Sequence, residues 1–193
     1  MARPRIIVGI SGASGAIYGK RCLELLRDAD IETHLVISKS GVLTIEQELG
    51  CPAADIRALA DVVHAPGNIG ASCSSGSFRT MGMIVAPCSM RSLAEIANGV
   101  TSSLLTRAAE VTLKERRRLV LLARETPLTL VHLRNMQSVT EMGGIVMPPA
   151  PAFYALPTSL DEMVDHTVAR ALDLFDIDVG RVSRWTGLAP SMA

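Results

Sequence analysis

Small residues crowd the segment Gly9-Ile-Ser-Gly-Ala-Ser-Gly15, between an apolar run and a helical pattern. A turn of this kind lets a ligand approach the backbone closely. A helix opening straight after it offers N–H groups and the positive end of its dipole to an anion. A second such turn, Pro87-Cys-Ser-Met-Arg-Ser92, also opens a helix and adds hydroxyls. The first turn departs from G-x-G-x-x-G, and Ser38-Lys39 stands where a dinucleotide fold places an acid for the ribose. The expected ligand is therefore a phosphate-bearing mononucleotide, with Lys39 either facing it or solvated. Arg124-Glu125-Thr-Pro127 sets a cation beside an acid, as a site pair or as a structural ion pair. The stiff run Pro148-Pro-Ala-Pro-Ala-Phe-Tyr154 fixes Tyr154, for a ligand or for packing. Cys88 has the chemistry of a nucleophile. No adjacent group is seen to activate it, so a small wall residue is the preferred reading.

Further charges lie on helical stretches. Arg107 and Lys114 are two turns apart and share a face, and Arg170 lies on a His166/Arg170/Asp173 polar face. A solvated surface explains both by itself. Trp185, the only tryptophan, sits in a Gly/Ser/Arg-rich tail and is expected to dock on its own subunit or a neighbour. The small-residue stretch Ala65–Arg79 has the composition of a binding loop or of a disordered one.

The elements that must position these residues alternate. Strands are expected at Arg5–Ile10, Thr33–Ile37, Met83–Ala86, Leu119–Ala123 and Gly144–Met147. Helices are expected at Ala16–Arg27, Val42–Leu49, Leu93–Ala97, Leu104–Arg117, Thr129–Met136 and Ser159–Phe175. The last opens on a capping box, Ser159 with Glu162. The fold class is α/β: a three-layer, doubly wound, mainly parallel sheet, Rossmann-like or flavodoxin-like. It forms one domain over residues 1–193, with 176–193 as a tail. Right-handed crossovers bring every strand's C-terminal end to one rim, so the turns above converge there.

Composition narrows the partners. Lys plus Arg and Asp plus Glu are 19 each, which gives no long-range pull toward nucleic acid or an anionic membrane. No apolar run reaches the roughly 18 residues of a membrane span, and the start lacks a signal-peptide core. A soluble, cytoplasmic chain is expected, its four cysteines (22, 51, 73, 88) reduced. The four histidines are scattered and no Cys/His spacing suits a metal. The apolar fraction of 48% hints at buried subunit interfaces, or simply at an Ala/Val/Leu-rich core.

An ordered set of segments resembles the flavin prenyltransferases of the UbiX/Pad type over nearly the whole chain. The segments are Val8-Gly-Ile-Ser-Gly-Ala-Ser-Gly-Ala-Ile-Tyr-Gly19, Ser75-Gly-Ser-Phe78, Pro87-Cys-Ser89, Leu113-Lys-Glu-Arg-Arg117, Arg124-Glu-Thr-Pro-Leu128, Met147-Pro-Pro-Ala-Pro-Ala-Phe-Tyr154 and Arg184-Trp185. The related cysteine-type decarboxylases carry Pro-Ala-Ser-Ala-Asn-Thr where this chain has Ala86-Pro-Cys-Ser-Met-Arg, which disfavours them. The resemblance implies transfer of a dimethylallyl group from dimethylallyl monophosphate to N5 of reduced FMN, then ring closure at C6. It implies no metal, a homododecamer with sites between subunits, and delivery of prenylated FMN to a UbiD-type decarboxylase. It places Gly12, Ala13, Ser14, Ser38, Ser89, Met90, Arg91, Ser92 and Arg124 at the flavin. Lys114, Tyr154 and Arg170, with Arg107 nearby, would bind the dimethylallyl phosphate. Glu48 and Glu125 match the catalytic carboxylates, with Ser14, Lys114 and Trp185 as further catalytic positions. Pre-placed cations would stabilise the leaving phosphate, an aromatic face the allylic cation, and a protonated carboxyl beside the phosphate would serve as acid and later as base. A non-catalytic flavin carrier is the competing class. It would keep the flavin turns without the phosphate cluster of Lys114, Glu125, Tyr154 and Arg170.

Overall fold

A computed structural model describes residues 3–182, 184, 185 and 187. β1 (Arg5–Ile10) lies at the centre of a six-stranded parallel sheet, between β2 (Glu32–Ile37) and β4 (Gly82–Cys88). β3 (Val62–His64) closes one edge; β5 (Arg118–Ala123) and β6 (Ile145–Val146) extend the other, giving the order β3-β2-β1-β4-β5-β6. The chain winds outward from β1 to β3, then crosses back to β4. The topological switch therefore falls between the C-terminal ends of β1 and β4, where such sheets bind ligands.

Strand parity sorts the core into two. Ile6, Val8 and Ile10 of β1 and Val120 and Leu122 of β5 join one cluster with Leu23, Leu26, Val168 and Leu172. Those last four come from α1 (Ala16–Asp28) and α7 (Leu160–Asp173). Ile7, Leu119 and Leu121 face the other way, toward Leu104, Leu105 and Ala108 of α5 (Leu104–Lys114) and Val139 of α6 (Leu130–Glu141). Both faces are covered, which is why the central strands read as unbroken apolar runs. Each fully buried leucine contributes about 1.5–3 kcal/mol of transfer free energy.

Most expected elements are present, with corrections. α2 (Lys39–Leu49) begins three residues earlier than expected, because the Ser38 hydroxyl caps it by accepting from Gly41 N at 3.0 Å. α4 (Met90–Ala97) likewise begins at the Ser89 cap. α5 stops at Lys114 and not at Arg117, since Arg116 takes a left-handed φ of 55°. α6 runs five residues further than expected, to Glu141. Two elements carry too little pattern to read: α3 (Ala53–Arg57) and the three-residue β3. The capping box at Ser159 is half formed. Ser159 accepts from Glu162 N, but the Glu162 carboxylate turns to Thr158, taking its N–H at 2.6 Å and its hydroxyl at 2.9 Å.

Candidate active site

The strand ends are stitched to one another along the rim. Ser38 N donates to Ile10 O at 2.9 Å, and Arg124 N to Cys88 O at 3.0 Å. At the switch point, Ser11 Oγ donates to Pro87 O at 2.9 Å and accepts from Ser89 N at 2.7 Å. One buried hydroxyl thus fixes the glycine turn against the start of α4. Gly12 has no room for a side chain, since a Cβ there would lie 2.4 Å from the Ser40 side chain. Gly15 caps α1 at φ 106°, a conformation that glycine adopts without strain.

Two amides at the end of the first turn are taken by the protein itself. Glu48, from the last turn of α2, accepts from Gly15 N at 2.8 Å and Ala16 N at 2.9 Å. Burial alone would raise its pKa. Hydrogen bonds from Ser14 and from these two amides, with the charge of Arg124, outweigh that and lower it. Glu48 is therefore an anion bound to the α1 N-terminus, as helix electrostatics favour. Further donors for a cofactor phosphate lie on the neighbouring helix starts.

Those donors surround a cleft of about 550 Å³ at the neighbouring helix starts. Ser38, Lys39 and Ser40 at α2, Ser89, Arg91 and Ser92 at α4, and Ser102 and Ser103 before α5 line it with Pro66 and Gly67. Ser89 caps α4 by accepting from Ser92 N, and its hydroxyl lies 3.2 Å from that of Ser92. Hydroxyls, two cations and three helix N-termini, with the Glu95 carboxylate as the one acidic group, form a lining that fits a phosphate ester with a polyol chain. Lys39 thus faces a cleft. Arg91, highly exposed, pairs with Glu95 at 2.9 Å.

A second cleft, of about 730 Å³, opens on the other side of α2. Ser14, Tyr18, Glu48, Arg124, Glu125 and Asp161 are among its polar lining, and Ile17, Pro148, Pro149, Pro151 and Val164 among its apolar walls. Among the described residues Arg124 and Glu125 form no ion pair with each other, so the structural reading of that pair fails. Glu125 accepts from Thr126 N at 3.0 Å, while the charge of Arg124 reaches Glu48 and Tyr18. Burial raises the Tyr18 phenol, partly offset by Arg124. Tyr18 and Ser11 were missed as site residues. Ser11 was legible only as turn material, and the one signal for Tyr18 is its position one helical turn after Ser14. Cys88 is fully buried in the core and lines neither cleft, and its thiol is pushed up to about 12 by desolvation.

The remaining predicted residues lie elsewhere in the chain. Lys114 ends α5, roughly 15 Å along the helix from its rim end, and pairs with Glu115. Arg107 pairs with Glu110 at 2.5 Å. Arg170 sits a similar distance down α7 and binds Asp173. The polar face of α7 is not a solvated one: His166 is buried beneath Tyr154, at a 5.9 Å ring separation, and Trp185 packs on Tyr154 at 5.9 Å. One copy therefore gathers the glycine turn, Ser38, Glu48, Ser89, Ser92, Arg124 and Glu125 on the rim. Tyr154, Arg170 and Trp185 form a second group, and Lys114 stands apart. No group of three or more His, Cys, Asp or Glu among the described residues could hold a metal ion, and no described helix is long and apolar enough to cross a membrane.

A parallel doubly wound sheet with capped helix starts at its switch point defines a Rossmann-like, flavodoxin-like α/β mononucleotide-binding protein. The model of the Flavoprotein family matches residues 1–177. A flavin prenyltransferase UbiX of Neisseria meningitidis serogroup B is 57% identical over 185 residues, 96% of this chain and 98% of that one. A crystal structure of AnUbiX (PadA1) in complex with FMN and dimethylallyl pyrophosphate superposes with TM-score 0.95 at 50% identity, over 97% of this chain and 100% of that one. A dodecameric FMN-dependent UbiX-like decarboxylase from Escherichia coli O157:H7 superposes with TM-score 0.92 at 49% identity, over 95% and 100% of the two chains. The chain belongs to the flavin prenyltransferase family of flavoproteins.

Proposed function

We propose that the protein transfers a dimethylallyl group from dimethylallyl monophosphate to N5 of reduced FMN, closes a second bond at C6, and releases prenylated FMN to a UbiD-type decarboxylase. The observation that carries this reading is the pair of clefts flanking α2. One is rich in hydroxyls and cations; the other combines apolar walls with Ser14, Glu48, Arg124 and Glu125. The first suits the phosphate and polyol of a flavin mononucleotide, the second a flat ring and a short branched chain.

Ser38, Ser89, Met90, Arg91 and Ser92 hold the FMN phosphate side, and Gly12, Ala13 and Ser14 let the ligand lie against the backbone. Bound there, reduced FMN supplies the nucleophilic nitrogen. Arg124 orients and neutralises the anionic ligands. Glu125 holds a proton for the bridging oxygen of the departing phosphate. Glu48, an anion tied to the α1 start, keeps Ser14 in place and adds negative potential next to the allylic carbon. The proline wall excludes water from the reacting carbon.

Tyr154, Arg170, Lys114 and Arg107 bind the ester phosphate, and the Trp185 ring faces the allylic charge. Within one copy Lys114 and Arg170 lie about 15 Å down their helices from the rim, so the complete site forms between copies of the chain. The dodecameric relative supports such an assembly. The same arrangement argues against a passive carrier, which has no use for a phosphate cluster. Anaerobic incubation with reduced FMN and dimethylallyl monophosphate, followed by mass analysis of the flavin, tests the reading. A product heavier by one five-carbon unit is expected; unchanged FMN rejects it. A parallel reaction with the diphosphate, the ester bound in the AnUbiX structure, reports the preference between the two.

A further inference from the structure

Asp173, in the last turn of α7, joins three of the residues assigned to the substrate without being one of them. Its side chain is only 11% exposed, and a carboxylate so buried is costly unless paired and hydrogen-bonded. Its partners are two guanidinium groups. Arg170 Nη1 donates to Oδ2 at 2.5 Å, and Arg184 donates to Oδ2 at 3.0 Å and to Oδ1 at 3.1 Å. Burial alone would raise the Asp173 pKa; the hydrogen bonds and charges of Arg184 and Arg170 outweigh it and lower it. The fork-on-carboxylate geometry of Arg184 is the strong, directional form of this contact. Asp178 gives Arg184 a second, longer contact at 3.4 Å, and Asp178 is largely exposed.

Arg184 immediately precedes Trp185. The indole packs edge-to-face on Tyr154, which in turn meets His166 edge-on, with interplanar angles of 78° and 83°. The tail is thus tied at two points, an ionic one at Asp173 on α7 and an aromatic one at Tyr154, in the segment before α7, which itself rests on His166 of that helix. A guanidinium has five N–H donors. The contact with Asp173 uses one of those on Arg170, fixing its orientation and leaving the others for an anion.

We infer that Asp173 is a positioning residue: its carboxylate locks the tail onto α7 and presents Arg170, Tyr154 and Trp185 as one preformed surface for the phosphate and allyl groups of the ester. This deepens the prenyl-transfer reading and rests on it for the identity of the ligand. The tie between tail and helix stands on geometry alone.

Trp185 is the only tryptophan in the chain, so fluorescence excited selectively at the indole, beyond tyrosine absorption, reports this tail. In the full-length protein, before flavin is added, Asp173→Asn is expected to make Trp185 clearly more quenchable by acrylamide. It should also raise KM for dimethylallyl monophosphate about tenfold, the scale of one lost charge-assisted hydrogen bond, while FMN affinity stays unchanged. Asp173→Glu should recover part of both effects. Arg184→Gln, with Asp173 intact, should reproduce the change in quenching and raise KM less, because Arg170 keeps its partner. Unchanged quenching in Asp173→Asn and Arg184→Gln overturns the tie. Changed quenching with an unchanged KM overturns the positioning role. FMN affinity falling in parallel with KM overturns it too, since the effect is then general. If the wild-type protein makes no prenylated flavin, the activity reading falls, and the quenching comparison still decides the tie.

Discussion

Replacing Glu48 by alanine removes the acceptor of two backbone amides at the start of α1, Gly15 and Ala16, at 2.8 and 2.9 Å. Hydrogen bonds to a charged group contribute about 1.5–3 kcal/mol each when buried, and a charge at a helix end adds about 0.3–1 kcal/mol. Glu48 is exposed to solvent, so screening cuts these figures, and about 1.5 kcal/mol for the whole cap is the working value. That is roughly tenfold in a local opening equilibrium. Hydrogen exchange read by mass spectrometry on the peptide covering Ser14–Tyr18 is the assay. Glu48→Ala should speed its exchange about tenfold, with Glu48→Gln in between, since an amide oxygen still accepts without the charge. The pH dependence follows from the lowered pKa. The cap's contribution is present above the ordinary glutamate value, about 4.3, and is lost as pH falls through the lower folded-state value. Unchanged exchange in Glu48→Ala would show that the carboxylate does not hold these amides. A different refutation is available in the wild-type protein. If FMN or inorganic phosphate protects the Gly15 and Ala16 amides further, the anion site lies at the first turn after all, and Glu48 yields to it.

Three other outcomes are expected. Ser11→Ala should destabilise the protein by about 1–3 kcal/mol, because it leaves Ser89 N without its acceptor at a buried turn, and should weaken FMN binding; a urea midpoint and a flavin titration measure both. Cys88 should resist iodoacetamide in the folded protein at pH 8 and react only on denaturation, and Cys88→Ala should retain prenyl transfer, as a buried thiol pushed up to about 12 predicts. Glu125→Gln should bind FMN and dimethylallyl monophosphate normally yet lose at least about a hundredfold in turnover, the usual scale for a missing general acid; unchanged single-turnover rates reject its role as proton donor.

The parts of this protein legible in its sequence are those governed by short-range pattern. Alternating apolar runs and helical stretches identify five of the six strands of the sheet, because a strand covered on both faces needs continuous apolar residues. The three-residue edge strand Val62–His64 lacks such a run, and it went unread. Ser38, Ser89 and the glycine turn stand out because turn and cap chemistry is local. Resemblance to a known family added the identities of the remote site residues, but not their arrangement.

That arrangement came from tertiary structure. Residues 33 and 78 positions apart meet as Gly15–Glu48 and Ser11–Ser89 because the order β2-β1-β4 brings the ends of three strands to one rim. The glycine turn reads as an anion site from sequence, and the fold gives two of the amides at its end, Gly15 and Ala16, to the protein's own carboxylate. Likewise, Arg170 reads as one charge on a solvated helix face, and the fold pairs it with Asp173, a largely buried carboxylate that Arg184 of the tail also holds. Local pattern sets which elements form. Which charges face one another is set by long-range packing, where one buried carboxylate can be satisfied only by the cations the fold delivers to it.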